Sequence, residues 1–316
     1  INALKKNGFV VKGVGVRGSY VDSGIAGNTT SDLELVGVSF KGYKRLPKIF
    51  KHAVVMLSLL FRCLIISVKF RPNFVHCHDT IALPIGVFLG VLMSAKVIYD
   101  AHELESNRNG LTKFLGHVTL RIEKCLWRFI DALIVVSPSI GNWYQTVVGP
   151  KLYEIILNSP DNFVRKKTRY NYLRQKFGID SHRKIFIYNG IFGPGRSLNI
   201  LVEIFKKTTI KSDLVLLGYG PLEDTLRLMS ENVPNIHFHP AVEHVDVVPI
   251  TSSADFGVCL IENCSLSDYY SLPNKLFEYA FAGIPVVGSK FPDIENLIFR
   301  HNLGVVSDLD SQSILT

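Results

Sequence analysis

Ser271-Leu272-Pro273-Asn274-Lys275-Leu276-Phe277-Glu278-Tyr279, followed by Gly283 and the apolar run Ile284-Pro285-Val286-Val287, reads as a loop, a helix opening at Pro273 and a buried strand. Proline fits the first turn of a helix, and glycine commonly follows its last. Free backbone N–H groups at such a helix start suit a phosphate, and a carboxylate one turn inward can accept hydrogen bonds from sugar hydroxyls. Leu272, Pro273, Asn274, Lys275 and Glu278 therefore form one half of a candidate nucleotide-sugar site.

Two upstream segments repeat the logic of strand, glycine loop and helix. The strand Lys184–Tyr188 runs into Asn189-Gly190-Ile191-Phe192-Gly193-Pro194-Gly195-Arg196, and Leu214–Leu217 runs into Gly218-Tyr219-Gly220-Pro221 ahead of a helix from Leu222. Glycine lets backbone approach an anion, and a guanidinium grips phosphate oxygens in a fork. Each loop alone is a tight turn. In sequence with Leu272–Glu278 they favour a nucleotide diphosphate, with Gly190, Gly193, Gly195, Arg196, Gly218, Gly220 and Pro221 as its expected contacts.

Strand and helix alternate along the whole chain, the pattern of parallel sheets covered by helices on both faces. Strands are expected near Phe9–Val16, Leu35–Val38, Phe74–Cys77, Lys96–Tyr99, Ala132–Val136 and Tyr153–Leu157, and then near Lys184–Tyr188, Leu214–Leu217, Ile236–Phe238, Phe256–Leu260, Pro285–Val287 and Gly304–Val306. The polar, basic stretch Asp161–Asp180 separates the two sets and reads as a connection. The expectation is an α/β protein of two Rossmann-like parallel-sheet domains, residues 1–162 and 163–316, with ligands at the carboxyl ends of the strands in a shared cleft. A length of 316 residues and a hydrophobic content of 47% suit two cores. Ile1–Gly8 reads as the end of a helix and Ser311–Thr316 as the approach to another, so the chain is expected to be a piece of a longer protein.

Residues 1–160 carry 19 Lys+Arg against 10 Asp+Glu, and the remainder 16 against 17, so the basic excess belongs to the first half. Lys41, Lys44, Arg45, Lys48 and Lys51 precede the apolar run Ala53–Val68, a combination suited to an anionic membrane surface. A solvated basic face is the plainer reading. A span is disfavoured by Arg62 and Lys69, and nucleic acid by the lack of interleaved aromatics or a recognition motif. Ile81–Met93 is expected as a buried helix. The five cysteines lack zinc or redox spacing and read as free thiols in a reducing cytoplasm.

His76-Cys77-His78-Asp79 and Asp100-Ala101-His102-Glu103 close two of the first-half strands. His76 and His78 are read as projecting from opposite faces, which leaves His78 as the candidate facing the site. Asp100, His102 and Glu103 read as acceptor-binding or proton-shuttling groups, or else as caps for a helix beginning near Thr112. A metal held by His76, His78, Asp79 and His102 is conceivable by ligand type, but no tight ligand spacing accompanies it, and no metal is expected.

Taken in order, Ala3–Gly8, His76–Asp79, Tyr99–Glu103, Val136–Ser139, Leu157–Asp161, Gly190–Arg196, Gly218–Pro221 and Leu272–Tyr279 resemble the retaining glycosyltransferases of family four, of the two-domain GT-B architecture, in their bacterial surface-polysaccharide branch. The resemblance implies hexosyl transfer from a UDP- or GDP-sugar, with retention and without metal or other cofactor, to a saccharide or lipid-linked saccharide. It also implies a peripheral position on the cytoplasmic face of the inner membrane. His78 would then lie near the transferred sugar, Arg196 and Lys275 on the diphosphate and Glu278 on the ribose. Two positions depart from the family pattern: Tyr270 replaces its first glutamate, and Ile191 an arginine. A nucleotide-sugar 2-epimerase on the same architecture, or a silent nucleotide-sugar or glycan-binding module, would share most of these features.

Overall fold

The structure is a computed structural model and describes residues 2–16, 33–36, 47–160, 171–207 and 211–309. Lys41, Lys44 and Arg45 lie outside it, as do the side chains of Lys48 and Lys51 and the expected domain boundary at residues 162 and 163. By compactness the chain divides into one unit of Ile1–Cys77 with Ala82–Ile98, and a second of His78–Ile81 with Tyr99–Thr316.

The first unit contains α1 (Asn2–Lys6), the parallel pair β1 (Gly13–Val16) and β2 (Leu33–Val36), and the long α2 (Lys48–Phe70). It also holds most of β3 (Phe74–His78), of α3 (Asp79–Met93) and half of β4 (Lys96–Ala101). Within α2, Ala53–Phe70 is little buried and, by length and composition alone, long and apolar enough to cross a membrane. The expectation that Ile81–Met93 is buried needs correction. Leu83, Ile85, Val87 and Leu89 are buried, while Ile81, Phe88, Val91 and Leu92 are exposed.

The second unit continues with α4 (Lys113–Leu126), β5 (Ala132–Val135), α5 (Pro138–Trp143) and β6 (Tyr153–Ile155). The sheet order is β3-β4-β5-β6. Thr112 caps α4 by accepting from the Leu115 N–H at 3.3 Å, and Ser137 caps α5 by accepting from the Ile140 N–H at 3.3 Å. The capping role considered for Asp100, His102 and Glu103 is thereby filled by Thr112.

The remaining elements are α6 (Tyr172–Phe177), β7 (Lys184–Ile191), α7 (Leu198–Phe205), β8 (Ser212–Tyr219), α8 (Glu223–Met229), β9 (Ile236–Pro240), α9 (His244–Thr251), β10 (Phe256–Cys259), α10 (Leu266–Tyr269), α11 (Asn274–Ala282), β11 (Val286–Ser289), α12 (Pro292–His301) and β12 (Gly304–Ser307). Their six strands pair in the order β12-β11-β10-β7-β8-β9, and the paired strands are parallel. A sheet covered on both faces calls for apolar residues in both directions. Ile185, Ile187, Val215 and Leu217 pack with Leu173, Leu276, Ile294 and Ile298 on one side. Tyr188, Leu214 and Leu216 pack with Leu201, Val202 and Leu226 on the other. The architecture is thus two parallel-sheet α/β layers, as expected. Helix α6 falls inside the stretch read as a connection, because Leu173 and Ile179 belong to the second core.

Two of the glycine loops begin later than their sequence suggests. Strand β7 runs through Ile191 and β8 through Tyr219, with Gly190 opposite Gly218 in register. A Cβ on Gly218, at φ +151°, would meet the Gly190 carbonyl oxygen at 1.9 Å, and one on Gly220, at φ +156°, the Phe192 backbone at 2.5 Å. These glycines let two neighbouring chains approach at the strand ends.

Candidate active site

Both histidine motifs end strands of the four-stranded sheet. His78 is the last residue of β3, and Asp79 opens α3 at φ +61°, a left-handed conformation that turns the chain sharply. Asp100 sits in β4 with His102 just beyond it. The His78 Nδ1 lies 3.0 Å from the His102 Nε2, and the Asp100 Oδ2 lies 3.4 Å from each of those nitrogens. Asp79 accepts from the His102 N–H at 3.4 Å. By accepting a hydrogen bond from the ring, Asp100 holds the His102 pKa above its usual value, against the opposing effect of burial. The triad can therefore pass a proton between its rings and accept a hydroxyl proton.

Glu103 is not joined to this group. It pairs with Arg108 at 2.9 Å, and Arg108 also bridges to Glu105. The reading of His76 and His78 on opposite faces is also corrected. Residues two apart in a strand share a face, and both histidines are exposed with Cys77 buried between them.

A buried carboxylate fixes the spacing of the two motifs. The Glu123 Oε1, from α4, accepts from Thr80 at 3.0 Å, Tyr99 at 2.8 Å and Tyr144 at 2.7 Å. Thr80 adjoins Asp79 and Tyr99 adjoins Asp100, so one side chain ties both strand ends. Burial raises the Glu123 pKa, while the three hydroxyl donors oppose the rise. The sequence reading missed this group, since Thr80, Tyr99, Glu123 and Tyr144 share no local motif.

The cationic part of the site assembles at the carboxyl ends of β7 and β10. Helix α11 starts at Asn274 behind Pro273 and ends on Gly283 in the left-handed conformation, as its sequence predicts. Lys275 and Glu278 are 9% and 8% exposed, so both charges are largely withdrawn from water. The Lys275 ammonium lies 3.6 Å from the centre of the Tyr188 ring, a cation–π contact. Burial raises the Glu278 pKa, opposed by its hydrogen bond with Asn189 and by His244 and Lys275. Burial pushes the pKa of the Cys259 thiol up to about 11; Lys275 and Arg196 oppose that rise and Glu278 adds to it. A Cβ on Gly190 would sit 3.9 Å from the Lys275 Nζ, so the ammonium lies against the end of β7. Tyr188, Asn189 and Cys259 complete this region and were not anticipated, although Asn189 directly precedes the first loop glycine.

Arg196 is half-buried and its Nη1 lies 3.8 Å from the Asp268 Oδ1. Glu262 accepts from the Ser197 N–H at 2.9 Å. The Tyr270 carbonyl accepts from the Ser137 hydroxyl at 2.7 Å. Gly193, Gly195, Leu272 and Pro221 lie at the loops and helix starts where the sequence places them. The loop carrying His102 reaches this region: the Leu104 N–H donates to the Ser267 Oγ at 3.1 Å, and a Cβ on Gly195 would sit 3.1 Å from the Asn109 side-chain nitrogen. Imidazole motif and cation cradle are thus linked by a short stretch of backbone.

Residues 183–314 match the family model described as Glycosyl transferases group 1. The chain is 23% identical over 296 residues to N-acetyl-alpha-D-glucosaminyl L-malate synthase of Bacillus anthracis, covering 86% of this chain and 74% of that protein. It is 25% identical over 244 residues to chitobiosyldiphosphodolichol beta-mannosyltransferase of Candida albicans, covering 68% of this chain and 51% of that one. Among solved structures, HepE of Anabaena in complex with UDP-glucose superposes with a TM-score of 0.68 at 13% identity, covering 97% of this chain and 88% of that one. Sucrose-phosphate synthase from Thermosynechococcus elongatus superposes with a TM-score of 0.69 at 15% identity, covering 91% and 73%. The fold is that of GT-B glycosyltransferases.

Proposed function

We propose that this chain is the body of a glycosyltransferase that moves a hexosyl group from a UDP- or GDP-sugar to a saccharide, with a lipid-linked saccharide as the natural acceptor. The observation that carries the reading is the burial of Lys275 and Glu278 on α11, with the Lys275 ammonium over the Tyr188 ring and close to Gly190 at the end of β7. A buried ammonium and a guanidinium beside glycine-bearing strand ends are matched to a diphosphate, and Glu278 to a ribose. The match of residues 183–314 to a glycosyltransferase family model supports the same conclusion.

In the proposed reaction an acceptor hydroxyl oxygen bonds to the anomeric carbon as the bond from that carbon to the diphosphate oxygen breaks. Attack from the leaving-group face retains configuration, and the hydroxyl proton passes to the departing phosphate. Negative charge grows on that phosphate, and prearranged cations stabilise it more in the transition state than in the ground state. Arg196 and Lys275 would supply this stabilisation without a metal or other cofactor. His78, oriented by Asp100 and His102, would bind the sugar or the acceptor hydroxyl, with Asp79 holding the His102 backbone. In this reading residues 1–162 take the acceptor, residues 163–316 take the donor, and the enzyme works on the cytoplasmic face of the inner membrane.

Incubation with labelled UDP- and GDP-sugars and a membrane extract tests the proposal. Label should move to lipid-extractable material with one donor class, and His78→Ala and Glu278→Ala should each abolish the transfer while leaving the fold intact. Unchanged turnover in both variants would reject the site. Epimerised donor, or donor binding without transfer, would point to the epimerase or to the binding module that Tyr270 and Ile191 keep open.

A further inference from the structure

His78, Asp100 and His102 bring two imidazoles and a carboxylate to one place, the donor set of a zinc-type divalent ion. Spacing along the chain hid this, since His78 and His102 are 24 residues apart and meet only because β3 and β4 are neighbours in one sheet. The His78 Nδ1, His102 Nε2 and Asp100 Oδ2 form a triangle with sides of 3.0, 3.4 and 3.4 Å. Tetrahedral zinc, with bonds of about 2.0–2.1 Å, holds its ligand atoms about 3.3–3.4 Å apart. A point about 0.8 Å out of the plane of the three atoms lies about 2.1 Å from each of them. The triangle thus has the dimensions of one face of a zinc tetrahedron, with the fourth corner left for water.

The surroundings favour a cation. Asp100, Asp79 and Glu105 each act on His102 to favour positive charge there. The donors are also held at their spacing by partners outside the triangle. The Glu123 carboxylate accepts from Thr80 and Tyr99, the neighbours of Asp79 and Asp100, and Asp79 accepts from the His102 N–H. Outer partners of this kind fix the ligands of metal sites. The two rings, 61% and 45% exposed, are not packed against turning their lone pairs toward a shared ion. Magnesium and calcium match poorly, since they take more oxygen ligands than one carboxylate supplies.

We propose that His78, Asp100 and His102 form a zinc-binding site. Zinc there occupies the groups with which the proposed reaction would engage a sugar or an acceptor hydroxyl, so the ion would inhibit transfer reversibly and take no part in it. Only the inhibition rests on the transferase reading; the binding does not.

The test is calorimetric titration of the chelator-stripped full chain with Zn²⁺, alongside the visible spectrum of its Co²⁺ form. One equivalent of Zn²⁺ should bind at this site, Co²⁺ should give the visible bands of a four-coordinate ion, and Mg²⁺ should not compete. Loss of an outer partner costs metal sites about 10–100-fold in affinity, so loss of a ligand in His78→Ala or His102→Ala should cost more than about a hundredfold. Both variants remove exposed rings and should keep the wild-type thermal transition. His117→Ala, which removes an exposed histidine on α4, should bind as wild type does. No uptake of Zn²⁺ by the wild type would overturn the proposal, and so would uptake undiminished in both His78→Ala and His102→Ala. In a transfer assay Zn²⁺ should abolish activity and chelator restore it. Transfer that continues in the Zn²⁺-loaded protein would reject the inhibitory role and remove His78 from the proposed reaction, while the calorimetry judges the metal site by itself.

Discussion

His102 is the residue whose chemistry is most directly set by a neighbour. The Asp100 hydrogen bond raises its pKa, so the imidazolium survives to higher pH in the folded protein than in the unfolded chain. Asp100→Asn should bring the His102 midpoint down, as followed by NMR of the histidine ring protons, and should narrow the pH range of any activity on its alkaline side. An unmoved midpoint would remove Asp100 from the role given to it. Lys275 lies over the Tyr188 ring, a partner that could not be read from the chain because the two residues are far apart in sequence. His76 and His78, by contrast, were legible as strand residues, but their shared face follows only when the two-residue period is applied to them.

Among the elements, strands are the best recorded in the sequence. Runs such as Leu214–Leu217, apolar in both directions, can only lie between two layers of helix, and the expected strand positions recur with shifts of a few residues at their ends. The ends differ where glycine, a common turn residue, continues a strand. Gly190 and Gly218 instead continue β7 and β8, and the reason lies in the crowding of one strand against the other, a tertiary fact. Gly218→Ala would drive a Cβ into the Gly190 carbonyl. It should cost more than about 2 kcal/mol in urea unfolding and displace the cradle. The loop after β4 allows a second prediction. Burial pushes the Glu105 pKa up to about 7 from 4.5, against the pull of Arg108. Between those values the folded chain binds more protons than the unfolded one, so stability falls as pH rises through this window. Glu105→Gln should flatten that slope in urea midpoints taken from pH 4.5 to 7; a slope equal to wild type would show that Glu105 titrates normally.

For the molecule as a whole, composition and alternation disclosed the layer architecture, and the order of motifs marked the half that carries Arg196, Lys275 and Glu278. The Glu123 cluster was not legible, since Thr80, Tyr99, Glu123 and Tyr144 meet only after α4 packs against the strands. If Arg196 and Lys275 replace a metal, activity should be unchanged by excess EDTA and unaffected by added magnesium or manganese; a loss restored by one of those ions would assign charge stabilisation to it instead. The most direct measurement is calorimetric titration of the chain with UDP and with GDP, for wild type and Lys275→Ala. One nucleotide should bind the wild type, and the variant should bind it at least about tenfold more weakly, as expected for loss of a buried cation on a diphosphate. Equal affinity in the two proteins, or no binding of either nucleotide to a folded wild type, would contradict a diphosphate held at Lys275.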